Sequence, residues 1–170
     1  MTERLMIMRH GQAAPGHPDA TRALTRQGCQ EIRRIAAWLS GRDDLDLPRL
    51  RLVASPFVRA RQTADLVAEG LAIARPQCDV ETLEIITPDD PPDTVVDWLL
   101  EQDGKHPVLI VSHMPLVGAL TGLLIDGRAD GRGDSGLAFP TGAIAELTTD
   151  VPAAGCARLV RFTAPADIAD

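Results

Sequence analysis

Two four-residue runs of unbroken apolar character, Leu5-Met6-Ile7-Met8 and Val108-Leu109-Ile110-Val111, most constrain what this chain can fold into. A short run without polar alternation reads as a buried strand, the kind found in parallel sheets with helices on both faces. The first run passes into Arg9-His10-Gly11 and the second into Ser112-His113. Each strand thus delivers a histidine to the loop at its C-terminal end, where an open α/β sheet keeps its chemistry. Two such histidines suggest one shared site.

The remaining patterns alternate between strand and helix. Thr25 is placed to cap a helix whose inner face is Cys29, Ile32, Ile35, Ala36 and Leu39, with Gly41 ending it. Leu50 to Ala54 reads as a second strand, and Ser55-Pro56 opens a helix with proline in its favoured first-turn position and Ala60, Ala64, Val67, Ala68 and Leu71 inward. Asp79 to Leu83 is a weaker strand, followed by a loop from Thr87 to Pro92. Val95, Val96, Leu99 and Leu100 mark a short helix. Pro115 opens another, with Leu116, Val117, Leu120, Leu123 and Leu124 inward. A glycine- and aspartate-rich loop from Asp126 to Gly136 then leads to strands near Ala143 to Leu147 and Ala157 to Phe162. This order predicts an α/β fold, a three-layer α/β/α sandwich on a mainly parallel central sheet. With no linker or internal repeat, residues 1–170 read as a single domain, long enough to bury roughly 70% of the unfolded surface.

Composition removes several functional classes. The chain is 45% apolar and 24% charged, a globular rather than a disordered balance. A net charge of -7 argues against non-specific binding to nucleic acid or an anionic membrane, so any anion site has to be local. No run reaches membrane-spanning length and the N-terminus has no signal-peptide pattern. Cys29, Cys78 and Cys156 are odd in number and far apart, which fits reduced thiols in a cytoplasmic protein and neither a disulfide framework nor a metal site.

The basic residues are one lysine, Lys105, and sixteen arginines, most of them a matter of composition bias. Arg59, in Ser55-Pro56-Phe57-Val58-Arg59-Ala60-Arg61-Gln62-Thr63, is an exception because it falls in the first turn of a helix that starts beside a strand end. A cation next to the positive end of a helix dipole is unfavourable unless an anion binds there. Arg61 points about 200° away and reads as a solvated or structural side chain.

Together, Met8-Arg9-His10-Gly11, Leu24-Thr25 with Gly28, Ser55-Pro56-x-x-Arg59-Ala60-x-Gln62-Thr63 and Val111-Ser112-His113-Met114-Pro115-Leu116-Val117-Gly118 resemble the histidine phosphatase superfamily, with its phosphoglycerate mutase-like fold. Within it the likeness is to small bacterial phosphohistidine phosphatases of the SixA type, and it covers nearly the whole chain in order. The resemblance implies that His10 is the phosphoryl-accepting nucleophile, that Arg9 and Arg59 bind phosphate, and that His113 contacts the transferred phosphoryl group. The Phe139-Pro140-Thr141-Gly142-Ala143 turn is similar to a family segment near the site. No cofactor or metal is implied.

Elementary chemistry agrees with those roles. A histidine attacks phosphorus only through a neutral ring nitrogen, and neighbouring Arg9 and Arg59 should push its pKa down. The same guanidiniums attract a phosphoryl group, each close pair being worth on the order of 4 kcal/mol at an effective dielectric near 20. Larger relatives protonate an alkoxide leaving group with a carboxylic acid, and Glu84 is the nearest candidate by chain order, against its being an exposed or structural carboxylate. A phosphorylated imidazole needs such an acid less, because its ring is protonated before cleavage.

Three functions compete. Because 54 positions separate Arg59 from His113, little chain is left for a cap over a small substrate, which favours phosphohistidine on a protein partner such as a phosphorelay or phosphocarrier protein. A phosphomonoesterase for a small phosphorylated metabolite shares the same four residues. A non-catalytic phosphate-binding regulatory module would not require a nucleophile, yet both histidines and both arginines are present. Elsewhere, His17 and His106 read as surface or loop residues, and Trp38 and Trp98 as packing residues. Gly131-Arg132-Gly133-Asp134-Ser135-Gly136 matches a dinucleotide-binding pattern only formally, since no strand precedes it and no helix follows. The Arg132-Gly133-Asp134 tripeptide within it reads as chance, and Asp126, Asp130 and Asp134 do not have calcium-loop spacing.

Overall fold

The computed structural model describes residues 3–74, 79–130 and 137–169. Six strands form one sheet: β1 (Glu3–Arg9), β2 (Arg51–Ala54), β3 (Val80–Thr82), β4 (Val108–Ser112), β5 (Ile144–Thr149) and β6 (Ala157–Thr163). Their order is β3-β2-β4-β1-β5-β6. β3, β2, β4 and β1 are parallel, as the sequence predicts, and β5 and β6 complete the sheet as an antiparallel edge. Four helices cover it: α1 (Arg26–Ser40), α2 (Val58–Gly70), α3 (Pro92–Leu100) and α4 (Leu116–Asp126). The formal dinucleotide-binding pattern at 131–136, with its Arg-Gly-Asp tripeptide, and Cys78 lie outside the described residues.

The apolar runs are unbroken because both faces of their strands are buried. Leu5, Ile7, Val108 and Ile110 enter one core with the inner faces of α3 and α4, while Met6, Met8, Leu109 and Val111 enter a second core under α1 and α2. β1 leads into a helix on one face and its neighbour β4 into a helix on the other, so a crevice opens between their C-terminal ends.

Local chemistry sets the helix boundaries. Thr25 caps α1, its hydroxyl accepting the Gly28 N–H at 2.9 Å, and Gly41 follows the last turn. Gly28, rather than Cys29, is fully buried there: a Cβ on Gly28 would lie 2.3 Å from the Gln12 carbonyl oxygen, so only glycine lets α1 approach the loop after His10. α2 begins at Val58 and not at Pro56. Pro56 holds Ser55 away from helical backbone, and the Ser55 N–H instead donates to the Val111 carbonyl at 3.0 Å, prolonging the sheet by one step. Pro115 likewise flanks α4 as its N-cap, with the helix starting at Leu116.

One charged residue sits wholly inside. Glu146 on β5 has no exposed surface and accepts hydrogen bonds from Arg42 at 2.7 Å and Arg4 at 3.3 Å. Arg42 also bonds Asp44 and lies over the Trp38 ring, so the group ties the end of α1 to the sheet. Among the described residues no helix is long and apolar enough to cross a membrane.

Two substitutions test this account. Glu146→Ala leaves Arg42 and Arg4 without their buried partner and should cost about 3 kcal/mol in denaturant unfolding. Gly28→Ala drives a methyl group into backbone and should cost roughly 1–3 kcal/mol, with lost order in the loop after His10 visible by NMR.

Candidate active site

The site starts where the β1–β4 ladder ends. Arg9 pairs with Ser112 in register, and the His10 N–H continues the pattern by donating to the Ser112 carbonyl at 2.9 Å. His10 and His113 are thereby brought together, their ring centroids 5.1 Å apart. The first turn of α2 closes one side. Thr63 donates to the Arg59 carbonyl at 2.7 Å and accepts the Gly11 N–H at 3.0 Å, locking the Arg59 turn to the loop carrying His10. Gln62 accepts the Leu24 N–H at 2.8 Å and Gln12 accepts the Thr25 hydroxyl at 2.6 Å, which fixes the next segment.

The segment from Phe139 to Ala143 closes the other side, as its resemblance implied. The Phe139 carbonyl accepts a hydrogen bond from Arg9 Nη1 at 2.8 Å, and the Gly142 N–H lies on the carbonyls of Arg9 and His10. Gly142 has φ +79°, a left-handed conformation, and any Cβ there would strike Pro165 at 2.9 Å.

All the predicted site residues meet here. His10 is 7% exposed, Arg59 4% and His113 1%, so the site is a desolvated cleft. The tautomer of His10 follows from its partners. Nδ1 lies 2.7 Å from the Gly11 carbonyl, which only accepts, so Nδ1 carries the proton and Nε2 carries the lone pair. Arg59 Nε donates to that Nε2 at 3.2 Å. His113 shares a hydrogen bond with the Ser55 hydroxyl through Nε2 at 2.7 Å, and its buried Nδ1 has no partner. Arg9 Nε is buried without a partner as well.

Burial dominates the electrostatics. Loss of hydration pushes the His10 pKa down to about 4, with Arg59, Arg9 and Arg22 adding to the effect against the opposing bond to Gly11. His113 is pushed down to about 3, again mainly by burial and then by His10 and Arg59. The arginines expected to depress His10 do so, but desolvation is the larger cause. Arg9 itself is held below its usual value by burial and then by the neighbouring Arg59 guanidinium.

Known proteins match over most of the chain. It is 37% identical over 150 residues to the phosphohistidine phosphatase SixA of Escherichia coli (strain K12), covering 86% of each chain. The chain belongs to the histidine phosphatase superfamily, among its SixA-type members. The model of that superfamily's branch 1 matches residues 5–85. A SixA homologue from Haemophilus influenzae is 32% identical over 155 residues, covering 86% of this chain and 88% of its own. A protein histidine phosphatase SixA solved in complex with tungstate superposes with a TM-score of 0.80 at 34% identity, covering 96% of this chain and 98% of its own. The phosphoglycerate mutase-like fold expected from the sequence is therefore the observed one.

Residues to which sequence reading assigned no part in the site also belong to this SixA-type cleft. Ser55 and Thr63 hold His113 and the Gly11 loop, and Phe57 packs edge-on against His113 with its ring centroid 5.1 Å away. Asp19 binds Arg59 and Arg22 at the rim. The serine and threonine stand inside the quoted motif, whereas no signal pointed to Asp19. Glu84 is exposed, in the turn after β3. His17 and His106 sit outside the site, His106 pairing with Asp103, and Trp38 and Trp98 pack on the two cores.

Because both rings stay neutral in the folded state, NMR titration should show His10 protonating near pH 4 and not near the ordinary histidine value of 6.5. Unfolded histidines bind protons below pH 6.5 while these do not, so stability should fall as pH drops from 6.5 toward about 4. His10→Asn should flatten that slope. A His10 titration at its ordinary value would show that the cleft is hydrated.

Proposed function

We propose that this chain hydrolyses phosphohistidine on a protein partner through a covalent intermediate on His10. The observation that carries the reading is the arrangement of one imidazole, its Nδ1–H donating to the Gly11 carbonyl and its Nε2 lone pair facing Arg59. The phosphohistidine phosphatase activity named for the similar proteins supports it, as does the tungstate complex, since tungstate is a tetrahedral oxyanion. The partner belongs to a phosphorelay or phosphocarrier class, and the unpaired Cys29 and Cys156 support a cytoplasmic location.

The chemistry follows from the fixed groups. Arg9 and Arg59 hold the phosphoryl oxygens, and His113 Nδ1, left without a protein partner, takes one of them. His10 Nε2 attacks phosphorus as the bond from phosphorus to the partner's imidazole nitrogen breaks. That imidazole, protonated on its other nitrogen, leaves neutral. Water then attacks phosphorus, the bond to Nε2 breaks, and inorganic phosphate departs with His10 restored. Charge spreads over the equatorial oxygens during both transfers, so preplaced cations lower both barriers.

Incubation with a phosphohistidine-bearing carrier protein and with a panel of sugar and nucleotide phosphates should give the higher kcat/KM for the carrier. His10→Ala should abolish turnover while its circular dichroism stays unchanged, and acid-labile phosphate should be trapped on the wild type alone. Phosphate release surviving in this variant would remove His10 as the nucleophile. A preference for a sugar or nucleotide phosphate would replace the protein substrate with a small metabolite.

A further inference from the structure

The segment between Ala13 and Leu24 places a carboxylate where a phosphate site has no use for one. An antiparallel bridge joins Ala13 to Leu24, and the Ala14 N–H donates to Ala23 at 2.8 Å, so the segment closes on itself. At its tip, a short 3-10 turn over Asp19–Thr21 is fastened by the Thr21 N–H and hydroxyl on the Pro18 carbonyl at 3.0 and 2.9 Å. Asp19 is anchored to the cleft by backbone as well as side chain. Its carbonyl accepts from Arg59 Nη1 at 2.8 Å, its Oδ2 from Arg59 Nη2 at 3.0 Å and its Oδ1 from Arg22 Nη1 at 3.0 Å. Arg22 is itself fixed through Nε to the Ala14 carbonyl at 2.9 Å.

A single guanidinium, that of Arg59, thus touches the His10 lone pair at Nε and the Asp19 carboxylate at Nη2. The Asp19 side chain is 55% exposed while Arg59 is almost wholly covered, so the carboxylate stands at the rim of the cleft. The hydrogen bonds from Arg22, and then from Arg59, hold Asp19 below the usual carboxylate range, which keeps it charged at neutral pH. The Asp19 carboxylate offsets part of the positive charge of Arg59 and Arg22, so it weakens the pull on a second anionic group of the substrate relative to a neutral or cationic one.

We infer that Asp19 selects substrates by the charge of the leaving group, favouring a phosphoryl group carried on a cationic or neutral moiety and rejecting one carried on a carboxylate-bearing moiety. The inference rests on the phosphohistidine reading in one respect: a phosphohistidine ring protonated for departure is such a cation. A carboxylate-bearing phosphomonoester brings its second charge against Asp19 and loses part of what Arg9 and Arg59 supply. Discrimination of this kind works by placing repulsion against the wrong partner.

Asp19→Asn removes the charge and keeps one oxygen acceptor for Arg59, giving up the bond from Arg22. Asp103→Asn, in the loop between α3 and β4 that enters β4 at the end opposite to His113, changes net charge equally and serves as the control. Dissociation constants should be measured by calorimetry for 3-phosphoglycerate, glycerol 3-phosphate and O-phosphoethanolamine, alongside turnover of a phosphohistidine carrier protein. In Asp19→Asn the affinity ratio of 3-phosphoglycerate to O-phosphoethanolamine should rise about tenfold, as expected for one partly screened charge contact, and the control should stay near the wild type. Equal weakening of all three ligands would reduce Asp19 to a prop for Arg59 and overturn the inference, as would an unchanged ratio or binding of none of the three by the wild type. Absence of phosphohistidine turnover in the wild type, with the ratio shift present, would overturn the protein substrate and leave charge selection standing.

Discussion

The parallel pairing of β1 with β4 is the contact on which the rest of the molecule depends. Two chain segments a hundred positions apart are hydrogen-bonded in register to their last residues, Arg9 opposite Ser112. Whatever follows these strands has to emerge side by side. Because the helices that follow leave on opposite faces, a crevice opens between them, and both imidazoles lie in it. The cores on either side hold this pairing, since Leu5 to Met8 and Val108 to Val111 alternate between the two layers.

Desolvation then turns position into chemistry. An imidazole in water near neutral pH is partly protonated and to that extent has no free lone pair on offer. Packing around His10 removes the water that would stabilise the charged form, and the Gly11 carbonyl decides which nitrogen keeps the remaining proton. The arginines gain from the same exclusion of solvent, because their attraction for an oxyanion is less screened. A chain with net charge -7 can therefore concentrate positive potential at one crevice.

Much of this was legible in the residues. The apolar runs, the Thr25 cap and the apolar stripes follow from periodicity and capping rules, and the two histidines follow from where the strands stop. The start of α2 was misplaced because Pro56 satisfies a helix rule locally, while the actual conformation of Ser55 answers to a β4 carbonyl that local rules do not include. Glu146 was invisible for a related reason: a lone carboxylate in an apolar strand is explained only by Arg42 and Arg4, far away in the chain. Asp19 and Arg22 lie in a segment without periodicity, held by backbone carbonyls whose directions exist only after folding. Gly28 and Thr63 were noticed as motif positions, but their role as close-approach point and clasp required coordinates.

The bond from Arg9 to the Phe139 carbonyl bears on biosynthesis. Arg9 is made early and Phe139 late, so a chain emerging from the ribosome carries the first imidazole long before it carries the wall that completes its surroundings. The second imidazole also comes late, on a strand that pairs with the first one made. The surroundings of the first imidazole are therefore complete only once β5 lies against β1, after most of the chain has been synthesised.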